Sequence, residues 1–183
     1  MKLIIHTFIL TILITTSACS DKDSQQGKTT AQNASAQNSN AVTECAKIAG
    51  RDLNQDRREI QTIYKNWVNT ALSTVDGSST IFMEKFIRSN LEACLPDKML
   101  LKAFINTYAT TGGLKKKDGY IFSTGCCSYE DPHFISAGFA IHEETATFFA
   151  SYRSEDPKTH KQVTRIYSTN KEITLPESIK QEM

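Results

Sequence analysis

ISAGFAIHEETATFFASY, residues 135–152, alternates in apolar character on either side of a short acidic interruption. Ile135, Ala137, Phe139 and Ile141 fall on one face of an extended chain, because successive side chains of a strand point to opposite sides. His142-Glu143-Glu144 reads as a turn, and Thr145 to Tyr152 supplies a second strand rich in aromatic and threonine residues. An antiparallel hairpin is therefore expected here. Downstream, a polar loop from Arg153 to Lys161 leads into a strand from Val163 to Ser168, and Lys171 to Leu175 is expected to add a last edge strand. Upstream, Tyr120 to Ser123 is expected to form a short strand.

Before Gly112-Gly113 the period is different. Ile60, Ile63, Tyr64, Trp67, Val68, Ala71 and Leu72 recur at three-and-four spacing, the signature of one helix face, with Asp56, Arg57, Arg58 and Glu59 opening the segment and Asp76-Gly77 closing it. Phe82, Phe86, Ile87 and Leu91 predict a second helix after Ser78 or Ser79, stopped at Leu95-Pro96 because the residue before proline avoids helical geometry. Leu100, Leu101, Phe104, Ile105 and Tyr108 predict a third, closed by Gly112-Gly113. Helices first and strands afterwards is the order of an α+β fold, here expected as N-terminal helices packed on a C-terminal antiparallel sheet.

Of the 183 residues, the first 42 are expected to lie outside that fold. Residues 1–18 run from Met1-Lys2 through an apolar stretch to small residues, the order of a secretory signal peptide. The stretch falls short of the ~20 residues that span a bilayer, which disfavours a retained transmembrane helix. Thr16-Ser17-Ala18-Cys19 resembles the lipobox of bacterial lipoprotein precursors, with Thr16 where the family usually has leucine. The resemblance implies cleavage before Cys19, a diacylglyceryl thioether on its sulfur and an acylated new amino terminus, and Ser20 implies sorting to the outer membrane, facing the periplasm. The rival is an ordinary secretory signal with an incidental cysteine. Residues 19–42 are expected to be a lipidated flexible tether, since Ser20 to Asn40 carries nothing aliphatic larger than alanine and has no apolar surface to offset the entropy of ordering. Residues 43–183 are expected to be a single domain.

Within that domain Ile60-Gln61-Thr62-Ile63-Tyr64-Lys65-Asn66-Trp67 and the run from Phe134 to Leu175 resemble the opening helix and closing meander of small periplasmic domains of the nuclear-transport-factor-two-like superfamily, including one bacterial family of unknown function. The resemblance implies a curved sheet wrapped around helices into a cone with a pocket. The chain departs from it at Lys171-Glu172-Ile173, where members usually place a tryptophan. No catalytic residue carries over.

An exported chain makes disulfides available to Cys45, Cys94, Cys126 and Cys127. Adjacent Cys126 and Cys127, with Cα atoms about 3.8 Å apart, are poorly placed to bridge each other, so each is expected to reach back to one of Cys45 and Cys94. A zinc site is the rival, but its ligand pairs normally carry a spacer. A redox pair usually has two intervening residues, which Cys126-Cys127 lacks.

Charge excludes more than it suggests. There are 21 basic and 20 acidic residues, and losing Lys2 with the leader leaves 20 of each, so no electrostatic footprint for nucleic acid exists. The run Lys115, Lys116 and Lys117 reads as a solvated turn rather than a lipid or phosphate contact. His133, His142 and His160 lie in or beside expected turns. His142-Glu143-Glu144 is the best candidate for general acid/base chemistry, since imidazole titrates near neutrality and a carboxylate could orient it; the plainer reading is a hairpin turn. Trp67 and Tyr64 read as core. No phosphate loop, dinucleotide fingerprint or nucleophile elbow is present, and no cofactor or metal is expected. The function expected from these features is a non-catalytic binding module, anchored through lipid on Cys19, for an envelope protein or a small ligand on a concave sheet. An inhibitor or immunity protein against a toxin or wall-degrading enzyme is a narrower form of it. A small hydrolase using His142 with Glu143 or Glu144, and a plain envelope spacer, are the alternatives.

Overall fold

A computed structural model describes residues 41–72, 80–108, 113–126 and 134–183. The expected hairpin is there as β4 (Phe134–His142) and β5 (Thr147–Glu155), antiparallel, with Ile141 opposite Phe148, Phe139 opposite Ala150 and Ala137 opposite Tyr152. Ala146 closes the turn in the left-handed region at φ 51°. β3 (Tyr120–Cys126), β5 and β6 (Gln162–Ser168) extend the meander. β5 runs three residues past Tyr152, so the loop expected from Arg153 begins at Asp156.

The six-stranded sheet has the order β1-β6-β5-β4-β3-β2, where β1 is Val42–Glu44 and β2 is Lys115–Lys117. All neighbours are antiparallel except β1, which runs parallel to β6. Two expectations fail at the edges. The three lysines form a strand, not a turn. Lys171 to Leu175 forms no strand, because β1 already occupies the outer edge of β6; the chain turns instead into a short helix, α4 (Glu177–Lys180).

That departure covers a second sheet face. Ala137, Phe139, Ile141, Phe148 and Ala150 are buried with helical residues, whereas Tyr120, Phe122, Ala140, Phe149 and Ile166 are buried with Leu175, Ile179 and Met183. The even positions of β4 show why the second face is coverable: Ser136, Gly138 and Ala140 carry no charge and little bulk. A Cβ on Gly138 would stand 2.8 Å from Cβ of Met183, so the glycine makes room for the returning chain.

Upstream lie α1 (Leu53–Trp67), a 3-10 turn (Ile81–Met83), α2 (Lys85–Cys94) and α3 (Lys98–Asn106). α1 starts three residues before Asp56 because the carboxylate of Asp52 accepts the amides of Asn54 and Gln55 at 2.8 and 3.0 Å. It ends at Trp67; Asp76-Gly77, expected to end it, lies outside the described residues. α2 stops before Leu95-Pro96 as expected. Asp97 caps α3 through Met99 and Leu100, and α3 ends at Asn106, well before Gly113. Gly113 instead passes the C-terminal end of α1, where Leu114 donates its amide to Trp67 and a Cβ on Gly113 would be 2.4 Å from the Val68 carbonyl oxygen. Aromatic rings link helices to sheet: Phe82 meets Tyr108 edge-on at 5.0 Å, Tyr108 meets Phe139 at 5.8 Å, and Phe139 stacks on Phe148 at 5.9 Å.

The cysteines pair otherwise than expected. Cys45 is bonded to Cys94, leaving neither sulfur for Cys126 or Cys127. The backbone explains it: Cys45 donates to Ser168 and Ala46 to Ala93, which holds the residues after β1 against the end of α2. Cys126 ends β3, four strands from β1 and so roughly 19 Å across the sheet at the usual strand spacing. Cys127 lies outside the described residues.

Candidate functional site

α2 and α3 are joined by only Leu95, Pro96 and Asp97, and residues of both helices line one cavity. On α2, Arg88, Glu92 and the following Leu95 recur at helical spacing; on α3, Lys98, Leu101, Lys102 and Ile105 do the same. These two stripes face an open cavity of about 640 Å³. Its apolar lining comes from buried Leu95 and Leu101, half-buried Ile105 and exposed Pro96, and Asn106 adds an amide. The rim is charged: Arg88 is ion-paired with Glu92 one turn along α2, and Lys98 and Lys102 sit one turn apart on α3. The arrangement can take up an apolar body and hold a polar end. Among the described residues, the lining offers no histidine, serine or cysteine.

The sequence made Leu101 and Ile105 visible as an apolar stripe, but as core. The signal for a groove was Lys98 and Lys102 at i, i+4 beside that stripe, and it becomes meaningful only once residues of α2 line the same cavity.

The residues singled out for acid/base chemistry are not brought together. His142 projects from the sheet face opposite Ile141, its ring 4.8 Å from that of Tyr120, and its Nδ1 lies 2.8 Å from the Thr145 hydroxyl, which in turn lies 2.8 Å from that of Thr147. Glu143 turns to the helical side and accepts a hydrogen bond from Lys116 at 2.8 Å, with the ammonium over the ring of Tyr64. Glu144 is exposed, and its backbone carbonyl accepts from Arg57. A cavity of about 380 Å³ beside the turn is lined by Glu143 and Glu144 with Arg57, Ile60 and Gln61, not by His142. The turn reading of this tripeptide is the one the geometry supports.

His160 is exposed and 2.7 Å from Glu155; His133 lies outside the described residues. Lys115 and Lys117 both pair with Glu182, whose carboxyl is held below its ordinary range chiefly by the hydrogen bond from Lys115. Their exposed side chains suit an edge strand, where charge discourages pairing with another sheet. Trp67 packs against the core and donates its indole N–H to Glu84 at 2.9 Å. Among the described residues, no three histidine, cysteine or acidic side chains stand where they could share a metal ion, and no helix is long and apolar enough to cross a membrane. No family model, curated protein or solved structure matches the chain.

Proposed function

We propose that the protein is a non-catalytic binding module of a bacterial cell envelope, anchored by lipid on Cys19 and presenting the α2–α3 groove to a small ligand. The groove is the observation that carries the reading: it is open, apolar at the floor and charged at the rim. A volume of about 640 Å³ lies within the range of small-molecule sites. An envelope protein would need roughly 20 to 30 residues a side for a stable interface, far more than line this groove.

The concavity moves from where the sequence suggested. A cone-like sheet wrapped over helices, as in the nuclear-transport-factor-two-like superfamily, remains the scaffold we propose. Its interior, however, is occupied by Phe82, Tyr108, Phe139 and Phe148, all buried, so the ligand is placed outside it, between the helices. The tether proposed ahead of β1 would let the groove work within a few nanometres of the membrane, since a flexible chain reaches roughly 5–6 Å times the square root of its length.

Native mass spectrometry of protein released from envelopes in mild detergent tests this. A non-covalent adduct is expected on the wild type and lost from Ile105→Glu, which puts a carboxylate on the floor. Bare protein from every preparation, with no groove amide shifting in NMR when envelope extract is added, would contradict it.

A further inference from the structure

The cavity of about 380 Å³ between α1 and the β4–β5 turn shares no lining residue with the α2–α3 groove. We infer that it is a second binding site, for a small zwitterion of the amino-acid class, in which Arg57 takes the carboxylate and Glu144 the ammonium.

The site is built on a clamped turn. Arg57, Ile60 and Gln61 stand at i, i+3 and i+4 on one face of α1, and Glu143 and Glu144 open the turn that completes the lining. Arg57 donates its Nε–H to the Glu144 backbone carbonyl at 2.6 Å, and Arg51 donates to that of Ala146 at 3.1 Å. Lys116 holds the Glu143 carboxylate at 2.8 Å. Three cations from outside the turn thus fix its backbone and one of its side chains, so little ordering is left for a ligand to impose. Buried Ile60 supplies the apolar part of the lining.

Two opposite charges line this cavity without meeting. Arg57 bonds the backbone of Glu144 and not its carboxylate, and among the described residues neither the terminal nitrogens of Arg57 nor that carboxylate has a partner. Glu143 is already offset by Lys116. One guanidinium and one carboxylate are left over, and the ligand that satisfies both carries one charge of each sign. A simple anion would be met by Glu144, a simple cation by Arg57, and a sugar would use neither charge. With Nε committed to the turn, the two terminal nitrogens of Arg57 keep the fork that matches the two oxygens of a carboxylate. Gln61, exposed one turn along from Arg57, adds an amide that can donate and accept. The volume stands at the small end of ligand sites, which suits an amino acid or a dipeptide.

Proton–nitrogen correlation NMR of the full chain in mild detergent, following the backbone amides and the Arg57 Nε–H, tests this. The zwitterionic probes are glycine, alanine, leucine and alanyl-alanine. N-acetyl-alanine keeps only the carboxylate, and alanine amide only the ammonium. At least one zwitterion is expected to give saturable shifts centred on residues 57–61, residues 143–146 and the Arg57 Nε–H, with each single-charge analogue binding weaker by about tenfold or more. Tighter binding of a free amino acid, or of the dipeptide, identifies which of the two the site takes. Glu144→Gln keeps the backbone carbonyl that holds Arg57, so the turn stays clamped. It should weaken the zwitterion by about tenfold or more without weakening N-acetyl-alanine, and with an unchanged circular dichroism spectrum. Single-charge analogues binding as well as the zwitterions, saturable shifts centred elsewhere, silence from every probe, or undiminished zwitterion binding in Glu144→Gln would each overturn the inference. Ile105→Glu should leave these shifts as in the wild type, so this site and the α2–α3 groove stand or fall separately.

Discussion

Asp52 shows how a single side chain sets an element boundary. Its carboxylate is held below the ordinary value of 3.8 by the amides of Gln55 and Asn54, in that order, with Arg58 adding a smaller attraction. Asp156 is lowered in the same manner by the amides of Lys158 and Thr159. A carboxyl whose folded-state pKa is depressed contributes stability that is present above its unfolded pKa and lost as pH falls through the folded one. Urea midpoints should therefore be flat near neutrality and fall below about pH 4. Asp52→Asn should keep the cap, because asparagine caps comparably, while flattening that acid limb; an identical limb in Asp52→Asn would contradict the assignment. Two glycines give a sharper contrast. Alanine at Gly113 drives a Cβ into the Val68 carbonyl and should cost about 3 kcal/mol, whereas alanine at Gly138 meets the Met183 side chain and should cost about 1 kcal/mol, read from denaturant curves. Ser151 points the other way. Its hydroxyl is buried without a hydrogen-bond partner among the described residues, so Ser151→Ala should stabilise by about 1 kcal/mol. None of this was legible beforehand: Asp52 lies outside the apolar period it caps, and a glycine's neighbours are known only from the fold.

At the scale of elements, periodicity carried far. The alternation through residues 135–152 gave the hairpin, and the three-and-four spacing gave three helices whose cores match the observed ones. It failed where two faces or two edges competed. Lys171-Glu172-Ile173-Thr174-Leu175 alternates like a strand, yet its alternation serves to drop Leu175 onto the second sheet face. The small residues Ser136, Gly138 and Ala140 announce that face only in retrospect. Lys115–Lys117 lacks any apolar residue, so nothing local distinguishes an edge strand from a turn. The disulfide was misassigned for a topological reason, since β1, a strand too short to read, brings Cys45 to Cys94. That bond closes a separation of 49 residues, which in the chain-entropy account corresponds to about 4 kcal/mol. Cys45→Ser with Cys94→Ser should lower stability by roughly that amount and free β1 from the edge of β6, visible as accelerated exchange of the backbone amide at position 45. Non-reduced peptide mapping should recover Cys45 linked to Cys94; recovery of Cys45 linked to the Cys126-Cys127 peptide would overturn the pairing.

For the whole molecule, the proposed address and the candidate site come from different parts of the chain. The expected address rests on a short N-terminal motif that sequence alone displays. The candidate site was not legible, because its lining comes from two segments that each look like ordinary amphipathic helix and meet at one cavity only in the fold. His142-Glu143-Glu144 was the reverse case: adjacent in sequence, its side chains part to opposite faces of the sheet. The proposed export and anchoring would give Cys45 and Cys94 oxidising surroundings and would bring the groove close to the membrane. The intact mass of the protein taken from bacterial membranes tests this most directly. The account predicts a chain beginning at Cys19, heavier than its amino acids by a diacylglyceryl group and an amide-linked acyl chain, and its loss from Cys19→Ser. A chain still beginning at Met1, or one cut near residue 18 and carrying no lipid, would contradict it.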